Sequence, residues 1–315
     1  MSSALHLVAN LFAVAFWAAA VRFATPLILA AIGEIFSERA GVLNIGLEGM
    51  ILFGAFGGVV GAFQSGSAWV GLLTAIVAGG LVGLIHAFVS VTLRGDQVVS
   101  GAAINILVLG LTTFLSRTIW GVGQQPQVAA FSEWKIPFFG DLPVVGEIFF
   151  RHLPLVYLAY LLVPVSAFVL YKTSWGLKIR AVGEHPRAAD TTGINVAAWR
   201  YGCVVLCGML AGSAGAFLSL GQLHMFLENM SAGRGYIALA AVIFGKWDPL
   251  QAMLACLLFG AADASTLRLQ ALDIKAPYQL VLMIPYLLTF LAFVGLVGKT
   301  RPPAALATPY NKEQR

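Results

Sequence analysis

Long apolar stretches separated by short polar turns cover most of this chain. A stretch needs about 20 residues to cross a bilayer core roughly 30 Å thick. Candidate spans occur at residues 8–33, 42–63, 68–93, 98–119, 154–171, 202–220, 236–247, 249–268 and 278–298. The first is interrupted by Arg22 and Pro26, so it is either one bent helix or two short pieces, and the seventh is too short to cross alone. The pattern predicts an all-α fold, a polytopic transmembrane helical bundle with about 8–10 membrane spans.

Composition supports a membrane domain. The chain of 315 residues is 59% hydrophobic and 10% charged, whereas a soluble domain carries about 25% charged residues. Its net charge of +5 comes from basic residues clustered in 172–201 and in the C-terminal tail, so no soluble basic surface remains and we exclude nucleic acid as a partner. The three cysteines lie in apolar spans without a CxxC motif. We expect them to pack in the core, with no metal site and no cofactor.

The distribution of charge orients the predicted bundle. Residues 172–201 form a long polar segment with five Lys or Arg and two acids, which places this loop in the cytoplasm by the positive-inside rule. The 120–153 connection carries three acids and is expected outside. We therefore divide the chain into a transmembrane domain, 1–301, which includes the cytoplasmic loop, and a cytoplasmic tail, 302–315.

A polar stretch, residues 34–49, breaks the apolar pattern before the second span. Asn44 and Glu48 within it are four residues apart, so on a continuous helix they share one face. A carboxylate at the bilayer centre costs on the order of 3 kcal/mol, so Glu48 is expected to face the bundle interior or a wet path. Three glycines nearby favour a broken or re-entrant helix beside a cavity: Gly41, Gly46 and Gly49.

Two interpretations of these polar side chains remain open. Asn44, Glu48 and Asn105 of the fourth span are candidates for lining a substrate path. Alternatively, Glu48 is an internal buttress that pairs with a helix end or with Arg39, and Asn105 makes an interhelical hydrogen bond.

Several glycines occur at the four-residue spacing that lets helix backbones approach closely in lipid. The pairs are Gly54 and Gly58, Gly57 and Gly61, Gly79 and Gly83, and Gly208 and Gly212. We interpret them as ordinary helix packing within one subunit.

The sequence gives no nucleotide hydrolysis site. A phosphate-binding loop requires G-x4-G-K-[ST], but before Gly298-Lys299-Thr300 the first glycine position is held by Phe293. A helical relay of Asp, Glu and His, which proton-coupled carriers need, is also missing from the sequence. Energy for active transport would therefore have to come from another protein.

Residues 181–195, AVGEHPRAADTTGIN, resemble the Glu-Ala-Ala-like element of permease subunits of ATP-binding cassette (ABC) importers. In that family a short helix of this loop sits in a groove of the ATPase subunit and transmits its closure. The resemblance implies an ATPase-coupling loop formed by Glu184, Arg187, Ala188, Ala189, Asp190 and Gly193.

Two more blocks, residues 37–50 and 234–249, are similar to the branch of this family that imports nucleosides and simple sugars. The first block, which includes Glu48, looks closer to nucleoside-type members. The resemblance implies an ABC ATPase subunit, a second permease subunit, identical or different, and an extracytoplasmic substrate-binding protein as partners.

Two alternatives differ from this importer hypothesis. A secondary transporter would take up substrate in vesicles without any ATPase and would depend on an ion gradient. A non-transporting membrane scaffold would keep the interaction of residues 172–201 with a cytoplasmic protein but would show no substrate flux.

Overall fold

A computed structural model describes residues 14–271, 283, 287 and 301–312. The helices of the described residues, in chain order, are α1 (Val14–Arg39), α2 (Leu47–Ser65), α3 (Ala68–Ala87), α4 (Gln97–Trp120), α5 (Val145–Phe149), α6 (Pro154–Lys172), α7 (Ser174–Glu184), α8 (Pro186–Thr191), α9 (Val196–Ala216), α10 (Arg234–Phe244) and α11 (Pro249–Ala271). Helices α3 and α9 continue as π-helices through Phe88–Thr92 and Phe217–Leu223. Two short strands, β1 (Trp134–Lys135) and β2 (Arg151–His152), pair antiparallel.

Seven of the described helices are long and apolar enough to cross a membrane: α1, α2, α3, α4, α6, α9 and α11. Helix α10 is apolar but shorter. The predicted all-α class is confirmed, and from Val14 onward the first predicted span is one continuous helix that contains both Arg22 and Pro26. The ninth predicted span, 278–298, lies outside the described residues except for positions 283 and 287.

The bundle has two ends that differ in their contacts. The end of the bundle that carries residues 172–195 is called the loop end. There Gly183 of α7 packs against the backbone of Arg39. At the opposite end, the connection of residues 121–153 covers the start of α3, where the Trp69 ring contacts Phe131 and Trp134 at centroid distances of 5.1 and 6.0 Å. The basic loop and the acidic connection therefore lie at different ends of the bundle.

The chain between α1 and α2 is not helical. Residues 40–46 turn back into the bundle, and α2 begins only at Leu47. Gly41 has a φ of +88°, a conformation that glycine adopts without strain, and a Cβ there would lie 2.9 Å from the guanidinium Nη2 of Arg200. The broken helix predicted from the glycines is thus present. The expectation that Asn44 and Glu48 share a helix face is wrong, because Asn44 precedes the helix.

A second break mirrors the first. After the π-helix ends at Leu223, residues 224–233 run back into the bundle without a helix, and α10 begins at Arg234. Helix α2 leads towards the opposite end, whereas α10 leads towards the loop end, where Arg39 donates to the carbonyl of Trp247 at 3.2 Å. The predicted span 236–247 is short because it is half of a crossing. Such pairs of broken helices with inverted direction are typical of transporter folds.

Glycines lie at close crossings between helices of the described bundle. Gly54 of α2 packs against the backbone of Gly212 of α9, and Gly79 of α3 packs against Gly208 and Gly212. A Cβ at Gly54 or Gly79 would overlap the facing backbone. The interpretation of these glycines as packing sites within one subunit is confirmed.

Helix α9 begins six residues before the predicted 202–220 span, at Val196. Arg200, expected in the polar loop, is therefore inside a helix and is 1% exposed. Its Nη1 donates to the carbonyl of Thr308 at 3.0 Å. A buried guanidinium needs such acceptors, and the C-terminal segment supplies this one.

Candidate functional site

Two broken helices share one carboxylate where they begin. Glu48, in the first turn of α2, is 8% exposed. Its Oε1 accepts a hydrogen bond from the N–H of Gly233 at 2.8 Å, and its Oε2 accepts one from the N–H of Gly235 at 2.7 Å. These donors lie at the N-terminus of α10, which carries partial positive charge. The geometry matches the buttress in which Glu48 pairs with a helix end, and not a pair with Arg39.

Asn105 of α4 connects three elements at the same crossing. Its Oδ1 accepts from the N–H of Gly49 at 2.8 Å, and its Nδ2 donates at 2.9 Å to the carbonyl of Ile45 and to the hydroxyl of Tyr236. Tyr236 is 49% exposed and Asn105 is partly exposed. Asn105 therefore makes the interhelical hydrogen bond expected of it and also borders open surface. Sequence reasoning missed Tyr236, which stands two residues into the third resembling block.

Asn44 points into the core and is completely buried. Its backbone N–H donates to Oε1 of Glu34 at 3.0 Å, and its Nδ2 lies 3.3 Å from the sulfur atoms of Met50 and Cys207. The structure thus separates Asn44 from Asn105 and Tyr236, which lie at the surface. The three predicted path residues surround one crossing but face different sides of it.

A polar network missed by sequence reasoning extends from Asn44 towards the loop end. The thiol of Cys207 donates to Oε2 of Glu34 at 3.3 Å, and the indole N–H of Trp247 donates to Glu38. Glu34 and Glu38 are both buried on α1. Their four-residue spacing was the available signal, since it places both acids on one helix face. The network ties α1 to α9 and to the turn after α10.

The loop end presents a short helix with a defined stop. Helix α8 ends at Thr191, and Gly193 has a φ of +84°. The N–H of Gly193 donates to the carbonyl of Asp190 at 3.0 Å, and the N–H of Ile194 donates to the carbonyl of Ala189 at 3.1 Å. This pair of bonds is the Schellman arrangement, in which a left-handed glycine ends a helix. Gly193 therefore caps the C-terminal end of α8.

The residues of the predicted coupling loop divide into an outer and an inner set. Glu184, Arg187, Ala188 and Gly193 are exposed. Ala189 is 4% exposed, because it packs in a small cluster with the buried side chains of Val182 and Val196. Helix α8 thus presents one free face while its other face is fixed to α7 and α9.

The C-terminal segment, residues 301–312, is docked on this loop. The N–H of Ala305 donates to the carbonyl of Gly183 at 2.9 Å, and the N–H of Ala304 donates to Oε2 of Glu184 at 3.1 Å. Further along, Nζ of Lys312 lies 3.3 Å from Oδ1 of Asp190. The segment predicted only as a cytoplasmic tail is therefore a strap across the loop, and Asp190 already has a partner within its own chain.

Tyr310 of the strap lies beside the α8 cluster and Asp190. Tyr310 packs against the cluster of Val182, Ala189 and Val196. Partial burial and the nearby Asp190 carboxylate raise the pKa of Tyr310, so its phenol stays protonated and neutral at physiological pH.

The opposite end carries an exposed platform on the 121–153 connection. Phe138 and Val144 are 78% and 55% exposed. Beside them, Lys135 forms an ion pair with Asp141, and this hydrogen bond lowers the pKa of the Asp141 carboxyl. The platform therefore exposes apolar groups and fixed charges at the opposite end of the bundle.

The fold and these sites define a class: a polytopic helical permease whose broken helices meet inside the bundle and whose inter-span loop exposes a capped helix. Residues 16–293 match the family described as branched-chain amino acid transport system / permease component, and the chain belongs to this family. It is a multi-pass protein of the cell membrane.

Three relatives match nearly the whole chain. It is 44% identical to a guanosine ABC transporter permease protein of Bacillus subtilis, over 93% of this chain and 95% of the relative. It is 41% identical to a putative glucose ABC transporter permease protein of Haloferax volcanii, over 94% and 97%. It is 39% identical to a nucleoside ABC transporter permease protein of Lactococcus lactis, over 93% and 95%. The predicted resemblance to ABC importer permeases is confirmed.

Proposed function

We propose that this chain is the permease subunit of an ABC importer that moves a nucleoside across the cell membrane, with ATP hydrolysed by a separate subunit. Two of the three relatives described above carry names that refer to nucleosides or guanosine. The observation that carries the proposal is the exposed, glycine-capped helix α8, fixed to the membrane bundle on its other face. Such a helix is suited to receive a push from a cytoplasmic ATPase.

The coupling role is assigned to Glu184, Arg187, Ala188, Ala189, Asp190 and Gly193. Motion of α8 has a short physical route into the bundle. Helix α7 touches the backbone of Arg39 through Gly183, and α1 carries Glu38 and Glu34, which bond to Trp247 and to the segment before α2. A displacement of the loop therefore acts on both broken helices, through groups that are already in contact.

The substrate path is proposed to run along the outward face where Asn105 meets Tyr236. An amide and a phenol hydroxyl are neutral hydrogen-bonding groups, which suit the hydroxyls and ring nitrogens of an uncharged nucleoside. Glu48 and Asn44 take supporting roles behind this face, because Glu48 holds the start of α10 and Asn44 is buried. Helix α4, whose side chains are largely exposed in the single chain, is the surface on which a second permease subunit would close the path.

The other proposed partners bind at the two ends of the bundle. An ABC ATPase subunit would bind at the loop end, and a substrate-binding protein would dock on the platform of residues 121–153. Membrane lipid would surround the rest.

A simple sugar is the second candidate substrate, because one relative with 41% identity is named as a putative glucose permease. Both substrate classes present hydroxyl groups, so Asn105 and Tyr236 fit either. The aromatic ring of Tyr236 favours the nucleoside, since a flat base can stack on it.

The test is transport by the complete complex in proteoliposomes, with ATP supplied on the side of the ATPase. We expect ATP-dependent accumulation of radiolabelled guanosine, inhibited by excess unlabelled nucleoside and unaffected by excess glucose. Glucose-selective accumulation would replace the substrate assignment and leave the importer assignment standing. Uptake that follows an ion gradient without ATP, or no uptake of either solute despite an assembled complex, would overturn the importer assignment.

A further inference from the structure

An apolar slot opens between α6 and α9 near the loop end. Both helices pack against α1, and the space between them has a volume of about 370 Å³. Its long walls include Val165 and Val169 on one side and Leu206 and Leu210 on the other. Phe36 of α1 forms its back wall. The size is within the range of ordinary ligand pockets, but the lining is almost entirely hydrocarbon.

The slot is long and runs with the helices. Its lining on α9 extends from Trp199 to Leu210, which is roughly 16 Å at 1.5 Å per residue. A narrow apolar slot of this length suits an extended alkyl chain better than a nucleoside, since a nucleoside needs several hydrogen-bonding partners. The occupant we consider is therefore a lipid acyl chain.

Two tryptophans stand at the loop-end mouth of the slot. The rings of Trp175 and Trp199 lie 6.4 Å apart in an edge-to-face arrangement, and Trp175 is 65% exposed. On α7 the neighbouring Leu177 is also 62% exposed. An exposed tryptophan and an exposed leucine on a short polar helix are typical of a helix lying in the membrane interface. We therefore expect the slot mouth to lie at headgroup depth.

Basic residues flank this mouth along the sequence, and no acid lies among them. Residues 172–183 contain Lys172, Lys178 and Arg180 but no Asp or Glu. The ammonium of Lys178 lies 5.8 Å from the centroid of Trp199, directly at the mouth. The guanidinium of Arg180 lies 5.5 Å from the centroid of the Tyr171 ring, outside the lining of the slot. A phosphate would complement these groups, because basic pockets between helices bind the headgroups of anionic lipids.

We propose that the slot is a binding site for an anionic phospholipid of the leaflet at the loop end, which is the cytoplasmic leaflet in the proposed orientation. One acyl chain fills the slot between α6 and α9, and the headgroup phosphate pairs with Lys178 and Lys172. Trp175 and Trp199 cover the glycerol region. The site depends on the chain spanning the membrane and not on which solute it transports.

The lipid has a rival in the partner ATPase, which would also approach the loop end. Charge and depth favour the lipid. The exposed Trp175 and Leu177 continue into a slot lined by hydrocarbon from two membrane-spanning helices, whereas the free face of α8 lies beyond the polar surface of α7. The test below separates the two.

The experiment measures tryptophan quenching by lipids with brominated acyl chains. The complete complex is reconstituted in vesicles of phosphatidylcholine with one fifth phosphatidylglycerol. In one set of vesicles the phosphatidylglycerol carries the brominated chains. In the other set an equal mole fraction of brominated phosphatidylcholine is used instead. The signals of Trp175 and Trp199 are obtained as differences from W175F and W199F. We expect stronger quenching of both residues by brominated phosphatidylglycerol. In Lys178→Gln the mole fraction of this lipid that gives half-maximal quenching should rise about fivefold, as the loss of one cation near an anionic surface predicts.

Two pairs of variants separate loss of the lipid site from a general effect of substitution. Lys246→Gln removes an exposed cation from another turn at the loop end and should leave the quenching unchanged. Leu206→Phe narrows the slot without adding a tryptophan and should weaken the lipid preference, while Leu254→Phe on an exposed helix face should not.

Equal quenching by the two brominated lipids would overturn the proposal. The same holds if neither lipid quenches Trp175, or if quenching is seen only when the ATPase subunit is omitted, since the ATPase would then cover the slot mouth.

Discussion

The carboxylate of Glu48 accepts a 2.7 Å hydrogen bond from the backbone N–H of Gly235, although 187 positions separate the two residues in the chain. Glu48 begins the helix that leads to the opposite end, and Gly235 lies in the first turn of the helix that leads to the loop end. One buried acid thereby fixes the relative position of two broken helices. Any motion that separates these helices must also break or carry along this bond.

Gly235→Ala should loosen this junction. A Cβ at position 235 would lie 2.5 Å from the backbone nitrogen of Glu48 and 2.6 Å from its Cα. Because backbone cannot move aside as a side chain can, we expect a loss of about 1–3 kcal/mol in unfolding free energy. Thermal unfolding of the purified protein measures it. Gly202→Ala is the matched control, since a Cβ there meets nothing within 4 Å; an equal effect of both changes would contradict the close contact.

Glu48→Gln tests the charge and not the shape. The carboxamide keeps one acceptor but turns an N–H₂ group towards a backbone N–H donor, so one of the two hydrogen bonds is lost. We expect a loss of about 1–3 kcal/mol in unfolding free energy and slower uptake. The reason is that a hydrogen bond to the carboxylate is replaced by two N–H groups that face each other without an acceptor. Glu147→Gln, on the exposed connection, is the control. Normal uptake kinetics with normal stability would show that the carboxylate does not hold α10.

The break before α2 could be predicted from sequence, but its register could not. Glycines and polar residues in 34–49 indicate that a helix is interrupted there. The residue at which α2 begins depends on the contact between Glu48 and the start of α10, which local sequence does not encode. For this reason Asn44 was predicted on the helix, whereas it lies before the first residue of α2.

Arg200 shows a similar limit. A charged residue next to an apolar stretch is assigned to a loop by hydropathy alone, because the cost of burying a guanidinium is counted without its acceptor. The acceptor is the carbonyl of Thr308, 108 positions further along the chain. The cap at Gly193 differs in this respect, because a glycine in a left-handed conformation after a short helix needs no distant contact.

Gly193→Ala should weaken coupling while leaving the bundle intact. A φ of +84° costs an L-residue about 1–2 kcal/mol, so the end of α8 becomes strained and mobile. We expect ATP hydrolysis by the assembled complex to continue with less substrate transported per ATP. Gly66→Ala introduces the same kind of strain at the opposite end, at a φ of +68°. If both variants couple normally, the assignment of α8 is wrong.

His152 should make the opposite end sensitive to acid. Burial lowers its pKa below the ordinary 6.5, so the folded state favours the neutral ring. Its Nε2 lies 2.7 Å from the carbonyl of Ile148, while Nδ1 is buried without a partner among the described residues. The unfolded chain thus takes up the proton first as pH falls, and stability is lost from about pH 6.5 down through the folded-state pKa.

Thermal unfolding between pH 7.5 and 5 measures this loss. His152→Gln should flatten the pH dependence, whereas His224→Asn, at an exposed position of the same end, should retain it. An unchanged slope in His152→Gln would show that another group is responsible.

Removal of the strap should free the coupling loop. Truncation after Pro302 deletes the partners of Gly183, Glu184 and Asp190 and uncovers the guanidinium of Arg200, whose acceptor is the carbonyl of Thr308. The salt bridge to Lys312 is exposed and contributes little, so most of the effect should come from the backbone bonds and from Arg200. We expect faster amide exchange over residues 183–195 in the assembled complex and fewer substrate molecules moved per ATP. Truncation after Lys312, which keeps the strap and removes only residues 313–315, should behave as the full chain does. Protection of 183–195 that survives the longer truncation would show that the loop is held by the bundle alone.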